Sequence, residues 1–146
     1  MLGFKHIAAA ALLAQGVFGE GIHLFNCRPY GAAGSPQTWL SVVAYCANDA
    51  DCSNLGYTVP GNDACVVSSS GTAESYHHWE GGSQSCTFPT GVTFSWNIPA
   101  NAQSQPNFSS VGSGSNSYRS FAGYKDNKVN GASFNYHSCE KIYYYI

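Results

Sequence analysis

Six cysteines, Cys27, Cys46, Cys52, Cys65, Cys86 and Cys139, constrain this chain more than any other feature of its sequence. Only 10% of its 146 residues are charged, against about 25% in average soluble proteins, so its surface must be built from Ser, Asn, Gly, Thr and Tyr. An even cysteine count in a charge-poor chain points to an oxidising compartment and, by default, to three disulfides. A zinc site is the rival reading, and the absence of any CxxC pair argues against it. The spacing leaves the connectivity open.

The N-terminus supports the same compartment. Lys5 and His6 precede the apolar block Ile7 to Ala14, and Gly16 and Gly19 follow, which is the charged, apolar, small-residue order of a secretory signal peptide. The block is far shorter than the roughly 20 apolar residues of a membrane helix. Cleavage is expected after Gly19, with Gly16 as the other candidate. Residues 1-19 are then a signal peptide and 20-146 a single secreted β-rich domain. Loss of Lys5 moves the net charge from -2 to -3 and leaves every cysteine in place. Such a chain has little to offer a bulk polyanion, and it needs no membrane.

Period-two alternation dominates the mature chain. Val92, Phe94, Trp96 and Ile98 alternate with Thr93, Ser95 and Asn97, and strands are also expected over 22–27 and 142–146. Shorter candidates are 64–68, 75–79 and 132–137. Asn130-Gly131 suits a type I′ hairpin and Asn116-Ser117 ends a glycine-serine loop. Ser35-Pro36 suits the start of a helix over residues 37–46, although Val42 and Val43 make a strand a close competitor. Residues 99–117 read as a long exposed loop carrying the N-glycosylation sequon Asn107-Phe108-Ser109. The fold class expected is mainly β, sheet- or barrel-like, or α+β with one short helix, in a single disulfide-stapled domain.

The densest chemical group is Tyr76-His77-His78-Trp79-Glu80. On a strand, Tyr76, His78 and Glu80 share one face, so the adjacent histidines do not share a metal, while His78 and Glu80 can form an acid/base pair. The plain alternative is a surface strand with Trp79 turned inward. The order Ser75-Tyr76-His77-His78, Phe94-Ser95-Trp96-Asn97-Ile98, Tyr118-Arg119, and Asn127 to Gly131 leading to His137 resembles the small secreted microbial guanyl-specific ribonucleases, over residues 75-138. The resemblance implies that Tyr76, His78, Glu80, Arg119 and His137 form a catalytic set. His78 would act as base, Arg119 would stabilise the phosphorane and His137 would be the acid. The family's strand glutamate is replaced by Ser95, so Glu80 would have to stand in.

Over its whole length the chain also resembles small secreted cysteine-rich fungal effectors and hypersensitive-response-inducing elicitors. That likeness implies a monomer acting on a host plant surface or apoplastic component, with no active site required; RNA or a glycan are the alternative partners. A carbohydrate-binding module is a third class, with Trp79, Tyr143 and Tyr145 as sugar-facing aromatics against a core role for the same rings. Asn48-Asp49-Ala50-Asp51 and Asn62-Asp63 read as turn-forming residues rather than a calcium loop. There is no GxSxG, Gly112-Ser113-Gly114 lacks the following helix of a phosphate cradle, and no cofactor or metal is expected.

Overall fold

Phe94, Trp96 and Ile98 are buried and Thr93, Ser95 and Asn97 exposed, as their alternation demands of a strand with one face on a core. The computed structural model describes residues 19–146. Residues 1–18 of the expected signal segment lie outside the described residues. Ten strands form one sheet: β1 (Gly21–Pro29), β2 (Trp39–Cys46), β3 (Tyr57–Thr58), β4 (Ala64–Ser70), β5 (Gly82–Thr87), β6 (Thr93–Ile98), β7 (Ser110–Ser115), β8 (Ser120–Lys125), β9 (Asn130–Phe134) and β10 (His137–Tyr145). The main path runs β4-β2-β1-β10-β8-β7-β6-β5, antiparallel throughout. β9 pairs with the first half of β10 and carries β3 in parallel, whereas β8 pairs with Tyr143 to Tyr145. The sheet therefore forks along β10, close to the irregularity between Leu24 and Phe25 in its register with β1.

The sheet curls into a near-barrel whose two edges, β4 and β5, are joined by the Cys65–Cys86 disulfide rather than by a ladder. The bridge does for this barrel what edge-strand hydrogen bonds do in a closed one. Cys27–Cys139 links directly opposed residues of β1 and β10, and Cys46–Cys52 ties the end of β2 to the short helix α1 (Asp49–Ser53). The fold class is corrected accordingly. The protein is a mainly β near-barrel with one short helix, held by three disulfides and not by a single one. The helix also lies elsewhere than expected, just after residues 37–46, where Asn48 caps it by accepting from the Ala50 N–H at 3.3 Å.

Residues 39–46 form β2 because both faces of the sheet are covered here. Ile22, Leu24 and Val43 face the barrel interior with Phe94, Trp96 and Tyr145, while Phe25, Val42 and Ala44 pack into a second core with Val59 and Ala132. A strand buried on both faces reads as a continuous apolar run, which hides its period of two. Three further expectations are corrected. Residues 75–79 are extended but unpaired, and they carry Trp79 into the barrel interior. The expected loop 99–117 contains β7, whose glycines admit close neighbours: a Cβ on Gly114 would stand 2.8 Å from Phe94 Cε2. The two-residue turn lies at Asn135-Tyr136, both at positive φ (44° and 64°) as a type I′ hairpin requires, and Asn130-Gly131 instead opens β9.

Candidate functional site

The five residues singled out as a catalytic set do not converge. His78 and Glu80 do meet, with Nδ1 and Oε2 3.4 Å apart, His78 in solvent and Glu80 buried. Glu80 also accepts from the Tyr143 hydroxyl, which itself accepts from Gln103 Nε2 at 2.7 Å, so the carboxylate is anchored to β10. Tyr76 packs edge-on against Trp39. Arg119 lies 3.7 Å from Glu20, just before β1 begins, and its guanidinium covers the Phe121 ring at 4.5 Å. His137 is buried opposite Pro29 at the far end of β1, its ring nitrogens 2.7 Å from the Asn135 carbonyl and 2.8 Å from that of Thr38. Glu20 and Pro29 are separated by the length of β1, so Arg119 and His137 stand on the order of 25–30 Å apart at ~3.3 Å per strand residue. One phosphodiester cannot touch both.

The aromatic residues expected to face sugars are core. Trp79, Tyr143 and Tyr145 are all buried, Trp79 donating from Nε1 to Asn26 Oδ1 at 3.0 Å. The closest approach to a metal cluster among the described residues is His23 with Cys46 and Cys52, whose sulfurs are bonded to each other. Asp49 is engaged by His23 Nε2 at 2.8 Å, and Asn48 caps the short helix. Asn107 is exposed in a turn, as an accessible sequon requires.

A better site lies at the barrel end where β1 starts and β2 finishes. A cavity of about 250 Å³ is lined by Tyr45, Phe88 and Asn116, with the exposed Tyr118 beside them, and Glu20 and Asp63 supply carboxylate acceptors. Each wall has a local cause. Tyr45 ends the apolar run of β2 and donates to Glu20 at 2.8 Å, while its ring meets Phe88 edge-on at 6.5 Å. Phe88 is held by a tight turn in which its N–H donates to Val92 and its carbonyl accepts from Gly91, where φ is +88° and glycine carries no strain. Asn116 shapes the β7–β8 turn, its side-chain oxygen accepting from the N–H groups of Tyr118 and Arg119 at 2.9 and 3.0 Å. Asn116 was visible in the sequence only as a turn residue and Asn62-Asp63 only as turn formers. Glu20, Tyr45 and Phe88 carried no signal, because they are far apart in the chain and none belongs to a motif.

Burial first, and then the hydrogen bond to Glu20, push the Tyr45 hydroxyl up to about 12 from the ordinary 10.0. Tyr76 is likewise pushed up to about 12 by burial, with Glu140 and Glu74 adding to it. A folded-state value raised above the unfolded one gives stability that is complete below pH 10 and is lost as the pH rises through 12. Stability is therefore expected to fall between pH 10 and 12, with Tyr45→Phe removing part of the fall. Urea midpoints across that range, read beside phenolate absorbance, check this, and an identical slope in the variant would refute it.

No protein-family model matches the chain, and no curated protein or solved structure matches it either.

Proposed function

We propose that this protein is a secreted effector- or elicitor-type binding protein, non-enzymatic, that takes a glycan end into its barrel-end cavity outside the producing cell. The observation that carries the reading is the cavity itself, lined by the half-buried Tyr45 ring, the buried Phe88 and an exposed Tyr118, with the carboxylates of Glu20 and Asp63 as acceptors. Sugar rings present apolar C–H faces and hydroxyl donors, so stacking on an aromatic ring with acceptors at the edge is the chemistry that holds them. At about 250 Å³ the cavity lies just below the range of about 300–1,000 Å³ usual for drug-sized ligands, which suits one ring.

Secretion belongs to the same proposal, supported by the signal-like N-terminus and by three disulfides with no free cysteine among the described residues. No helix among the described residues is long and apolar enough to cross a membrane. The ribonuclease reading is set aside, because Arg119 and His137 stand at opposite ends of β1.

Retention on insoluble chitin, cellulose and β-glucan tests the ligand, and infiltration of leaves tests the role. The wild type is expected to be retained on one of the three and to provoke a defence response. Tyr118→Ala, an exposed change, is expected to weaken retention about tenfold, in line with the loss of one stacking face. Failure on all three polymers, or equal retention by the variant, would remove the glycan; an absent leaf response across several hosts would remove the effector role.

A further inference from the structure

The fork in the sheet opens a second cavity of about 480 Å³, remote in composition from the first and holding two buried charges of opposite sign. Lys141, on β10 where the strand changes partner, is 6% exposed. Its ammonium donates to the Ser53 carbonyl at 2.8 Å, and among the described residues no carboxylate lies within ion-pair distance of it. An ammonium has three donors, so two remain to be met. Asp126, in the connection from β8 to β9, is also 6% exposed, and one of its oxygens accepts from the Asn127 N–H at 2.8 Å. Two buried charges that face one cavity without pairing to each other are costly, and a ligand that bridges them relieves that cost.

The walls say what else such a ligand carries. Leu55, Phe108 and Val129 line the cavity while staying exposed, at 75%, 58% and 39%, and the rim is therefore apolar. Phe108 holds this place at φ +66°, a conformation that an aromatic residue rarely adopts, with its N–H donating to the Lys125 carbonyl at 2.8 Å. Gly131 keeps the floor open: a Cβ there would lie 2.9 Å from Lys141 Cε and 3.3 Å from Leu55 Cδ2. His23 also lines the cavity, stacked between Phe25 and Tyr144, and its Nδ1 meets no hydrogen-bond partner among the described residues. Asp49 is already engaged by His23, so the charges left for a ligand are one positive and one negative.

We propose that this cavity binds a small zwitterion with an apolar body, the class of a free aliphatic α-amino acid, with its carboxylate on Lys141, its ammonium on Asp126 and its side chain against Leu55, Phe108 and Val129. A ligand with a single charge leaves the other buried group unmet, and a purely polar one gains nothing from the rim. The site shares no residue with the glycan cavity, so the two stand or fall separately.

Calorimetric titration with L-leucine, 4-methylpentanoate and 3-methylbutylamine tests the proposal, since the last two lack the ammonium and the carboxylate respectively. L-leucine is expected to bind, and each analogue to bind at least about tenfold more weakly, as loss of one charge-assisted contact implies. Lys141→Met is expected to erase the preference for leucine over the amine, and Asp126→Asn the preference over the acid. Should either buried change unfold the protein by near-ultraviolet circular dichroism, Leu55→Asp at the exposed rim is expected to weaken leucine severalfold in a folded protein. Tyr118→Ala is expected to leave leucine binding unchanged. No binding of leucine at millimolar concentration, analogues as tight as leucine, or Leu55→Asp without effect would each overturn it.

Discussion

Replacing Cys27 and Cys139 together by alanine is expected to lower the unfolding free energy by about 4–5 kcal/mol, the largest loss from any one of the three bridges. The two residues are separated by 112 positions, and the freedom that a cross-link removes from the unfolded chain grows with the loop it closes. Both cysteines are fully buried on β1 and β10, neither of them an edge strand, so little water reaches the bridge in the native state. A domain of this size has roughly 5–15 kcal/mol in all, and the double variant should unfold at a much lower denaturant concentration.

The same reasoning ranks the other two. Cys65–Cys86 spans 21 positions and is worth about 3 kcal/mol, and Cys46–Cys52, spanning 6, is worth less. Loss of Cys65–Cys86 has a second consequence, because β4 and β5 have no ladder between them and would be released as unpaired edges. That variant is expected to aggregate at concentrations where the Cys27/Cys139 variant stays in solution. Guanidinium midpoints with light scattering check both statements. A Cys27/Cys139 variant no less stable than the Cys46/Cys52 one would contradict the loop-length account.

Trp79→Ala is expected to cost about 3–5 kcal/mol, the range for deleting a large buried aromatic side chain. What makes this position decisive is where its backbone lies. Residues 75–80 belong to no strand, yet the Trp79 ring is buried among the sheet's own side chains, 5.7 Å from Trp96 on β6. Ring and backbone both bind the crossing segment. The ring N–H donates to Asn26 on β1, the Trp79 carbonyl accepts from Trp96 Nε1 at 3.3 Å, and Gln84 Nε2 donates to the same carbonyl at 3.1 Å. Removing the ring leaves a void that strands bonded on both sides cannot collapse to fill. Trp79→Phe keeps part of the volume and should lose about half as much. Equilibrium unfolding of the two variants, with near-ultraviolet dichroism for Trp packing, measures the difference, and a loss of under about 1 kcal/mol for Trp79→Ala would mean that the ring contributes little to the barrel core.

Strands with one covered face were legible in the sequence because each needs only its own alternation. Phe94, Trp96 and Ile98 are the clearest case, buried while Thr93, Ser95 and Asn97 are exposed. Residues 22–27 and 142–146 also lie in or beside strands, although β1 is buried on both faces. Trp39 to Cys46 was not legible as a strand alone, since burial on both faces erases the alternation and leaves a run that fits a helix equally well. β7 was hidden in the opposite way. Ser110-Val111-Gly112-Ser113-Gly114-Ser115 has the composition of a loop, and it pairs because the Phe94 ring and the backbone of β6 crowd the barrel wall at Gly112 and Gly114, where only glycine leaves room.

The candidate sites divide along the same line. His78 and Glu80 are two positions apart, so their pairing could be read from local geometry, and the structure places them together. Arg119 and His137 entered the same set through a resemblance, and the barrel puts them at opposite ends of β1. Glu20, Tyr45, Phe88 and Tyr118 are drawn together only by closure of the sheet, as are Lys141 and Asp126 by its fork.

From the sequence by itself come the strand-rich class, an even set of cysteines suited to an oxidising compartment, and a surface poor in charge. These depend on composition and on contacts within a few residues. Which cysteines pair, which aromatic rings are core and which stand free, and which acidic and basic side chains share a cavity were decided by the tertiary structure. Those properties depend on strand order and register, which bring together residues as distant as Cys27 and Cys139 and separate residues that a linear motif had joined.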